Sequence, residues 1–202
     1  MLLEVLSRML RRIRSLVSNS KSFIEIYDNA LTSQECDLLI SQFEKFPQRR
    51  GLLRDGEIPE YKSCTELIDT DFRNSDVISN VIKHNLTRCI DEYTKKYRSL
   101  NELGLWGIDP FYNFQKYDGE DEGYKIWHTE RGPHVDCAPR ILVWMFYLNN
   151  AESGTEFMHF PTVNPKKGRC IVWPGGWEYT HKGVTPNKGI KYIITGWCSY
   201  LE

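Results

Sequence analysis

Two histidines and one carboxylate stand at positions that could bind a metal ion. His128 and Glu130 are separated by one residue, and His181 follows about fifty residues later. Two imidazoles and one carboxylate form the ligand set of a facial site, which holds Fe(II) and leaves positions open for an organic acid and dioxygen. Lys191, ten residues after His181, could pair with the far end of such an acid. Taken alone this spacing is a weak signal, because a single histidine at a strand end more often packs or contacts solvent.

A second histidine–carboxylate pair competes for the metal. His134 and Asp136 have the same one-residue spacing and supply the more usual aspartate. We favour His128 as the first ligand because it follows a predicted strand directly, whereas His134 follows a Gly-Pro pair in a predicted loop. His84 is more typical of a solvated helix surface, and His159 of a structural residue or a substrate contact. Both ligand pairs stay open at the level of the sequence.

The composition limits the classes of protein to consider. A chain of 202 residues fits one domain, and 41% apolar with 26% charged residues is typical of a globular protein. The net charge of −1 argues against a general attraction to nucleic acid, and therefore against repair of alkylated nucleic acid. Six cysteines without a CxxC pair argue against a zinc ribbon or a thioredoxin. We expect reduced thiols and a cytoplasmic location.

Residues 1–22 combine leucine, isoleucine and valine at helical spacing with four arginines. The arginines interrupt the apolar positions, so no stretch approaches the ~20 apolar residues that a membrane span needs. Such a cationic amphipathic helix could lie on a membrane surface. We favour docking on the domain or on a second subunit, because helices commonly bury one apolar stripe against protein.

Helical periods dominate the next part of the chain. Residues 22–27 alternate like a short strand. A helix then begins near Thr32 or Ser33, either of which can cap it, and Glu35 lies three residues after Thr32, the spacing of a capping box. Residues 48–73 are polar and irregular and are interpreted as a long loop, either a lid over a substrate or an ordinary solvated loop. Residues 75–97 form a second amphipathic helix. Its predicted inward stripe comprises Val77, Ile78, Val81, Ile82, Leu86, Ile90 and Tyr93.

From residue 111 onward the pattern is typical of short strands. Residues 111–117 and 124–128 alternate on either side of a glycine-bearing turn and predict a hairpin. Residues 140–149 are nearly all apolar, as expected of a strand buried on both faces. Further strands are predicted at residues 155–160, 169–173, 181–184 and 191–199. Many short strands punctuated by Gly and Pro favour a sandwich or a jelly roll.

These motifs occur in a characteristic order along the chain. The series comprises Tyr117-Asp118-Gly119, Gly123-Tyr124, Trp127-His128-Thr129-Glu130, Tyr147-Leu148-Asn149, Gly154-Thr155-Glu156-Phe157, Pro165 to Arg169, Trp173-Pro174, His181 and Lys191 to Trp197. It resembles the 2-oxoglutarate/Fe(II) oxygenase superfamily, in particular the small microbial and viral members of the prolyl-4-hydroxylase-like branch that carry WHxE. The resemblance covers about residues 111–199. It implies an α+β fold, a double-stranded β-helix (jelly roll) with N-terminal helices packed against it, in one domain of residues 23–202.

The resemblance also implies a role for each matching residue at the metal. His128, Glu130 and His181 would bind Fe(II). Glutamate replaces the family's usual aspartate, and its extra methylene still reaches the metal if the turn lies slightly farther back. Arg140 and Trp197 match family positions too, where support of the barrel is at least as good an interpretation.

Four further residues are implied to bind 2-oxoglutarate. Lys191 would pair with the distal carboxylate, because an ammonium in a mostly apolar pocket needs a fixed anion. Tyr147 and Thr195 would be its hydrogen-bonding neighbours. Tyr117 lies where the family often has a tyrosine near the chelating end.

The implied reaction is hydroxylation coupled to oxidative decarboxylation of 2-oxoglutarate, with Fe(II), dioxygen and ascorbate as the expected reductant. Glu130 argues against a halogenase, which leaves that position without a carboxylate. By analogy the substrate is a peptide, with proline as the hydroxylated residue. One alternative is a hydroxylase of a free amino acid or small metabolite. Another, from a different class, is a jelly-roll binding protein without turnover.

Overall fold

The computed structural model describes residues 22–53, 56–68 and 73–201. The helix predicted for residues 1–22 falls, apart from Ser22, outside these described residues. Within them, no helix combines the length and the apolar character that crossing a membrane requires.

Two α-helices precede the main strands and begin where the sequence predicts. Helix α1 spans Ser33–Phe43, and the Thr32 hydroxyl and Glu35 form the predicted capping box. Helix α2 spans Asp76–Lys96, with the Ser75 hydroxyl as its N-cap. These caps satisfy backbone N–H groups that have no partner within the first helical turn.

Helix α2 buries most of the predicted stripe. Its fully buried apolar residues are Ile78, Ile82, Leu86, Cys89, Ile90 and Tyr93. Val77 departs from the prediction because its side chain is 43% exposed in the first turn, one position away from the face that packs on the sheet.

Eleven strands occur in the part of the chain that the structure describes. They are β1 (Glu25–Tyr27), β2 (Gln48–Arg50), β3 (Lys62–Ser63), β4 (Thr65–Leu67), β5 (Trp106–Asp118), β6 (Gly123–Tyr124), β7 (Arg140–Tyr147), β8 (Gly154–Phe157), β9 (Arg169–Pro174), β10 (His181–Val184) and β11 (Ile190–Tyr200). Seven of them form one antiparallel sheet in the order β1-β9-β7-β11-β5-β4-β2. Strand β10 pairs with β8, and β3 pairs with β6.

The central strand β7 separates two cores, as its continuous apolar sequence predicts. Trp144 and Phe146 join the core that the two helices cover, whereas Val143, Met145 and Tyr147 join the core inside the barrel. Successive side chains point to opposite faces of a strand, so one strand supplies both cores. This two-layered β-structure with helices on one face confirms the predicted jelly roll.

The predictions for residues 48–73 and for residues 124–128 are wrong. Residues 48–73 are not an irregular loop throughout, because β2, β3 and β4 lie within them. The segment at residues 124–128 does not form a hairpin with β5. Strand β5 is paired by β11 on one edge and β4 on the other, so β6 pairs with β3 instead. Long-range pairing, which local alternation does not reveal, determines both outcomes.

Candidate metal centre

Backbone pairing brings His128 and His181 together. The two residues form an isolated antiparallel bridge, and their imidazole centroids are 4.4 Å apart. His128 Nδ1 is 3.0 Å from the Ile126 carbonyl, and His181 Nδ1 is 2.9 Å from the Tyr179 carbonyl. A carbonyl only accepts hydrogen bonds, so each Nδ1 carries a proton and each Nε2 keeps its lone pair for a metal ion.

Glu130 completes the cluster. Its Oε1 lies 3.7 Å from His128 Nε2 and 3.6 Å from His181 Nε2. The three candidate ligand atoms all lie within 4.8 Å of one another, and no other such group of three His, Cys, Asp or Glu side chains occurs among the described residues. Two imidazole nitrogens and one carboxylate oxygen in this arrangement fit a facial Fe(II) site.

The second carboxylate oxygen of Glu130 is held by two side chains of the barrel. Trp197 donates its indole N–H to Oε2 at 2.8 Å, and Arg140 donates to the same atom at 3.3 Å. The Arg140 guanidinium also stacks over the Trp197 ring, 3.7 Å from its centroid. Two residues that the sequence left as general barrel supports therefore orient the carboxylate, with Oε1 directed at the histidines.

Charge and burial stabilise this arrangement. Burial would raise the pKa of Glu130, but the neighbouring imidazoles of His128 and His181 hold it well below its usual value. Burial lowers the pKa of His181, although Glu130 acts in the opposite direction. Glu130 is therefore an anion at neutral pH, as a metal ligand must be.

Aromatic rings fix both imidazoles. Tyr124 stacks on His128 with centroids 3.8 Å apart and planes 12° apart. Trp173 and Phe157 pack against His181 at 5.2 and 5.6 Å. Each ring therefore has little rotational freedom, so the ligand atoms are preorganised.

The competing pair lies outside the cluster. His134 and Asp136 are both exposed and stand in a turn, where the His134 carbonyl accepts from the amides of Cys137 and Ala138. His84 and His159 are also exposed. The geometry of the described residues favours the His128 pair over the His134 pair.

A cavity of about 710 Å³ is lined by the three candidate ligands and by Lys191. Lys191 is 3% exposed, and its ammonium donates to the Val184 carbonyl at 3.1 Å. It lies 4.7 Å from the centroid of the Tyr117 ring, which is also buried. Burial lowers the pKa of Lys191 to about 8. A buried ammonium next to an aromatic face is a site for a carboxylate.

Of the residues predicted to bind the co-substrate beside Lys191, Thr195 lines the cavity and Tyr147 does not. Thr195 lines the cavity and donates its hydroxyl to the Trp144 carbonyl at 3.0 Å. Tyr147 is fully buried and does not line the cavity; its hydroxyl lies 2.6 Å from that of Thr155, which does. Thr155 was missed as a site residue, although it stood in the motif series.

The segment predicted as either a lid or a solvated loop contributes to the cavity wall. Leu52, Leu53, Ile58 and Tyr61 line the cavity. They form what we call the apolar roof. Lys62 lies next to it, also lines the cavity, and is 5% exposed. Its burial was not predicted, since polar residues in a glycine-bearing stretch give no periodic signal.

Several solved structures share the fold of this chain. The "viral collagen prolyl hydroxylase" of Paramecium Bursaria Chlorella virus-1, solved with 2OG, aligns with a TM-score of 0.63 at 18% identity, over 91% of this chain and 98% of its own. A Trichoplax adhaerens prolyl hydroxylase, solved with a peptide fragment of hypoxia inducible factor, gives 0.66 at 18% over 98% and 91%. A Pseudomonas putida prolyl-4-hydroxylase gives 0.63 at 16% over 91% and 95%. At such identities the likeness shows the fold.

A search of curated protein sequences gives no match. A family model described as "2OG-Fe(II) oxygenase superfamily" matches residues 112–199, which contain all three candidate ligands and Lys191. Residues 112–199 of this chain therefore match the 2OG-Fe(II) oxygenase superfamily.

Proposed function

We propose that His128, Glu130 and His181 bind the Fe(II) of this dioxygenase, that Lys191 binds the distal carboxylate of 2-oxoglutarate, and that a peptidyl proline is hydroxylated. One observation carries the proposal: the two free Nε2 atoms and Glu130 Oε1 converge in a cavity that the buried Lys191 also lines. A binding protein without turnover has no need of both features.

Fe(II) and 2-oxoglutarate, when bound, would allow dioxygen to hydroxylate a C–H bond of the substrate: one oxygen atom would enter that bond, the other would enter succinate, and carbon dioxide would leave. The residues of the chain position these groups. The imidazoles bind through Nε2 because Nδ1 is committed to backbone carbonyls. Arg140 and Trp197 hold Glu130 Oε2, which keeps Oε1 directed at the metal position. Lys191 orients the acid through its distal end.

The size of the cavity supports a substrate larger than a free amino acid. At about 710 Å³ the cavity extends well beyond the three ligands, and the apolar roof provides side chains that can cover a peptide. The Trichoplax relative was solved with a peptide, and the analogy to that protein is one of fold. Proline is therefore proposed as the hydroxylated residue on the combination of these two observations.

The proposed setting of the enzyme follows from its thiols. All six cysteines are free, and all except Cys137 are buried. Reduced thiols support a cytoplasmic compartment. We propose ascorbate as the reductant that keeps the iron in its ferrous state.

The test measures succinate release from 2-oxoglutarate in the presence of Fe(II), ascorbate and a panel of proline-containing peptides. The expected result is peptide-dependent succinate release and a peptide product heavier by one oxygen atom. Free proline and single metabolites are the comparison substrates, and preferential turnover of one of them would reassign the substrate class. No succinate release, together with no iron-dependent thermal shift, would favour a binding protein.

A further inference from the structure

Five buried polar side chains form a continuous chain of contacts, and all of them except Glu66 line the cavity. Lys62, Glu66, Gln115, Tyr117 and Lys191 are each at most 5% exposed. Lys62 forms an ion pair with Glu66 Oε1, and Gln115 Nε2 donates to the same oxygen at 2.6 Å. The Tyr117 hydroxyl donates to Gln115 Oε1 at 3.0 Å, and the Lys191 ammonium lies over the Tyr117 ring. The proposed function assigns no role to Lys62, Glu66 or Gln115.

The charge on Glu66 fixes the direction of every hydrogen bond in this chain. A carboxylate that is paired with the Lys62 ammonium is ionised and can only accept. Gln115 must therefore turn its NH₂ group toward Glu66 and its carbonyl toward Tyr117. The only proton left for that carbonyl is the phenolic one, so Tyr117 donates it to Gln115. Its oxygen then retains only lone pairs for any other contact.

We propose that Glu66 is a positioning residue for the co-substrate: through Gln115 it commits the Tyr117 proton away from 2-oxoglutarate and leaves recognition of the distal carboxylate to Lys191. This inference rests on the proposed function, which places that carboxylate at Lys191. A phenol that cannot donate gives a carboxylate no hydrogen bond, whereas its ring face attracts the Lys191 ammonium. Tyr117 therefore acts on the co-substrate by holding Lys191.

The Glu66 carboxylate also contacts the apolar roof. The Leu52 amide donates to Glu66 Oε2 at 3.4 Å, and Lys62 donates to the Leu52 carbonyl at 3.0 Å. Both backbone groups of Leu52 are thus satisfied by the buried ion pair. Glu66 is the one side chain of this chain of contacts that bonds to both the roof and the Gln115–Tyr117 pair.

The test is a titration of the Fe(II)-loaded protein with 2-oxoglutarate under nitrogen, followed by the charge-transfer absorption of the iron–oxo-acid chelate, so that no turnover is needed. Glu66→Gln keeps the size of the side chain but can donate or accept, so the order of the hydrogen bonds is lost. The Tyr117 ring, and with it Lys191, is then no longer held in place, so we expect 2-oxoglutarate to bind about tenfold more weakly. The matched control is Glu44→Gln, a carboxylate outside the cavity that accepts from Tyr192 at 2.5 Å and from Lys116 at 3.1 Å. The affinity of Glu44→Gln for 2-oxoglutarate should equal that of the wild type.

Two further variants separate positioning from charge balance. Lys62→Met combined with Glu66→Gln removes both charges, and the affinity should stay weak, because the amide of Gln115 is still free to turn. If the double variant bound 2-oxoglutarate as tightly as the wild type, the proposal would be overturned. The weaker binding of Glu66→Gln would then come from an unpaired Lys62. If Glu66→Gln does not fold, Gln115→Met breaks the relay while keeping the ion pair, and the same weakening is expected.

Tyr117→Phe provides the third comparison. We expect it to weaken 2-oxoglutarate binding about as much as Gln115→Met does, because both variants remove the hydrogen bond that holds the Tyr117 ring against Lys191. A loss of tenfold or more in this variant, with Glu66→Gln unaffected, would show that Tyr117 donates to the co-substrate directly and would overturn the proposal. A wild-type protein that gives no absorption change at all would instead contradict the proposed function.

Discussion

His128 and His181 exchange two backbone hydrogen bonds, each N–H donating to the other residue's carbonyl at 2.9 Å. The pairing fixes the two Cα positions before any side-chain contact is considered. The imidazoles then project to one side, because residues directly opposite in an antiparallel pair share a face. Two candidate ligands from distant parts of the chain are therefore positioned by the same interaction that holds the sheet together.

The first prediction concerns the identity of the ligands. His128→Ala removes one Nε2 atom from the cluster, and Fe(II) affinity should fall by more than the roughly 100-fold that loss of a ligand's supporting partner can cost. His134→Ala, at an exposed position of the same cavity, is the matched variant and should leave Fe(II) affinity unchanged. Anaerobic Fe(II) titration measures both. The reverse order of the two effects would transfer the assignment to His134.

The second prediction concerns the support of Glu130. Trp197→Phe removes the 2.8 Å hydrogen bond to Oε2 but keeps an aromatic ring beneath Arg140. Because the carboxylate is then less well oriented, Fe(II) affinity should fall by roughly tenfold. Trp177→Phe is the control, since that indole is 70% exposed. Equal affinities for the two variants would show that Glu130 does not depend on Trp197.

The third prediction is that replacing Lys191 raises the free energy of unfolding but removes 2-oxoglutarate binding. Burial lowers the pKa of this lysine from 10.5 to about 8, which corresponds to about 3 kcal/mol of unfavourable burial of the charged form at neutral pH. Lys191→Met should therefore stabilise the protein without ligand by 1 to about 3 kcal/mol while abolishing 2-oxoglutarate binding. Chemical denaturation and calorimetric titration provide the two measurements. A destabilised variant would mean that the ammonium is better solvated than its burial implies.

The fourth prediction is the pH dependence that follows from the same group. Between pH 8 and 10.5 the unfolded chain binds more protons at Lys191 than the folded chain does, so the free energy of unfolding rises with pH through this window. The affinity for 2-oxoglutarate should change in the opposite direction. Above about pH 8 the lysine must take up a proton to bind the carboxylate, and affinity should approach a tenfold loss per pH unit. Lys191→Met should lack the stability change, which serves as the control.

A fifth prediction tests the junction between α1 and the sheet. Gly168 has φ +80°, and a Cβ there would lie 2.2 Å from the Leu31 carbonyl oxygen. Gly168→Ala should destabilise the fold by at least about 3 kcal/mol, since a left-handed conformation and a backbone clash add. Gly104→Ala is the control, because nothing lies within 4 Å of a Cβ at that position. Thermal unfolding of both variants decides whether this close approach is needed.

Local patterns in the sequence were sufficient for a large part of the fold. The capping box of Thr32 and Glu35, the extent of α2, and the doubly buried strand β7 were all predictable, because each depends on neighbours within a few residues. The resemblance to a known family then supplied the candidate ligands and Lys191. The spacing of the ligands alone would not have sufficed.

Only the tertiary structure decided which strands pair and which polar groups face one another. The alternating pattern did not show that β6 pairs with β3 and not with β5. Both strands that pair with β5 come from distant segments of the chain. The hydrogen bond between Tyr147 and Thr155 and the burial of Glu66 are equally non-local. A sequence determines periodicity and caps through contacts of a few residues, whereas the direction of a buried hydrogen-bond chain depends on groups that meet only when the barrel closes.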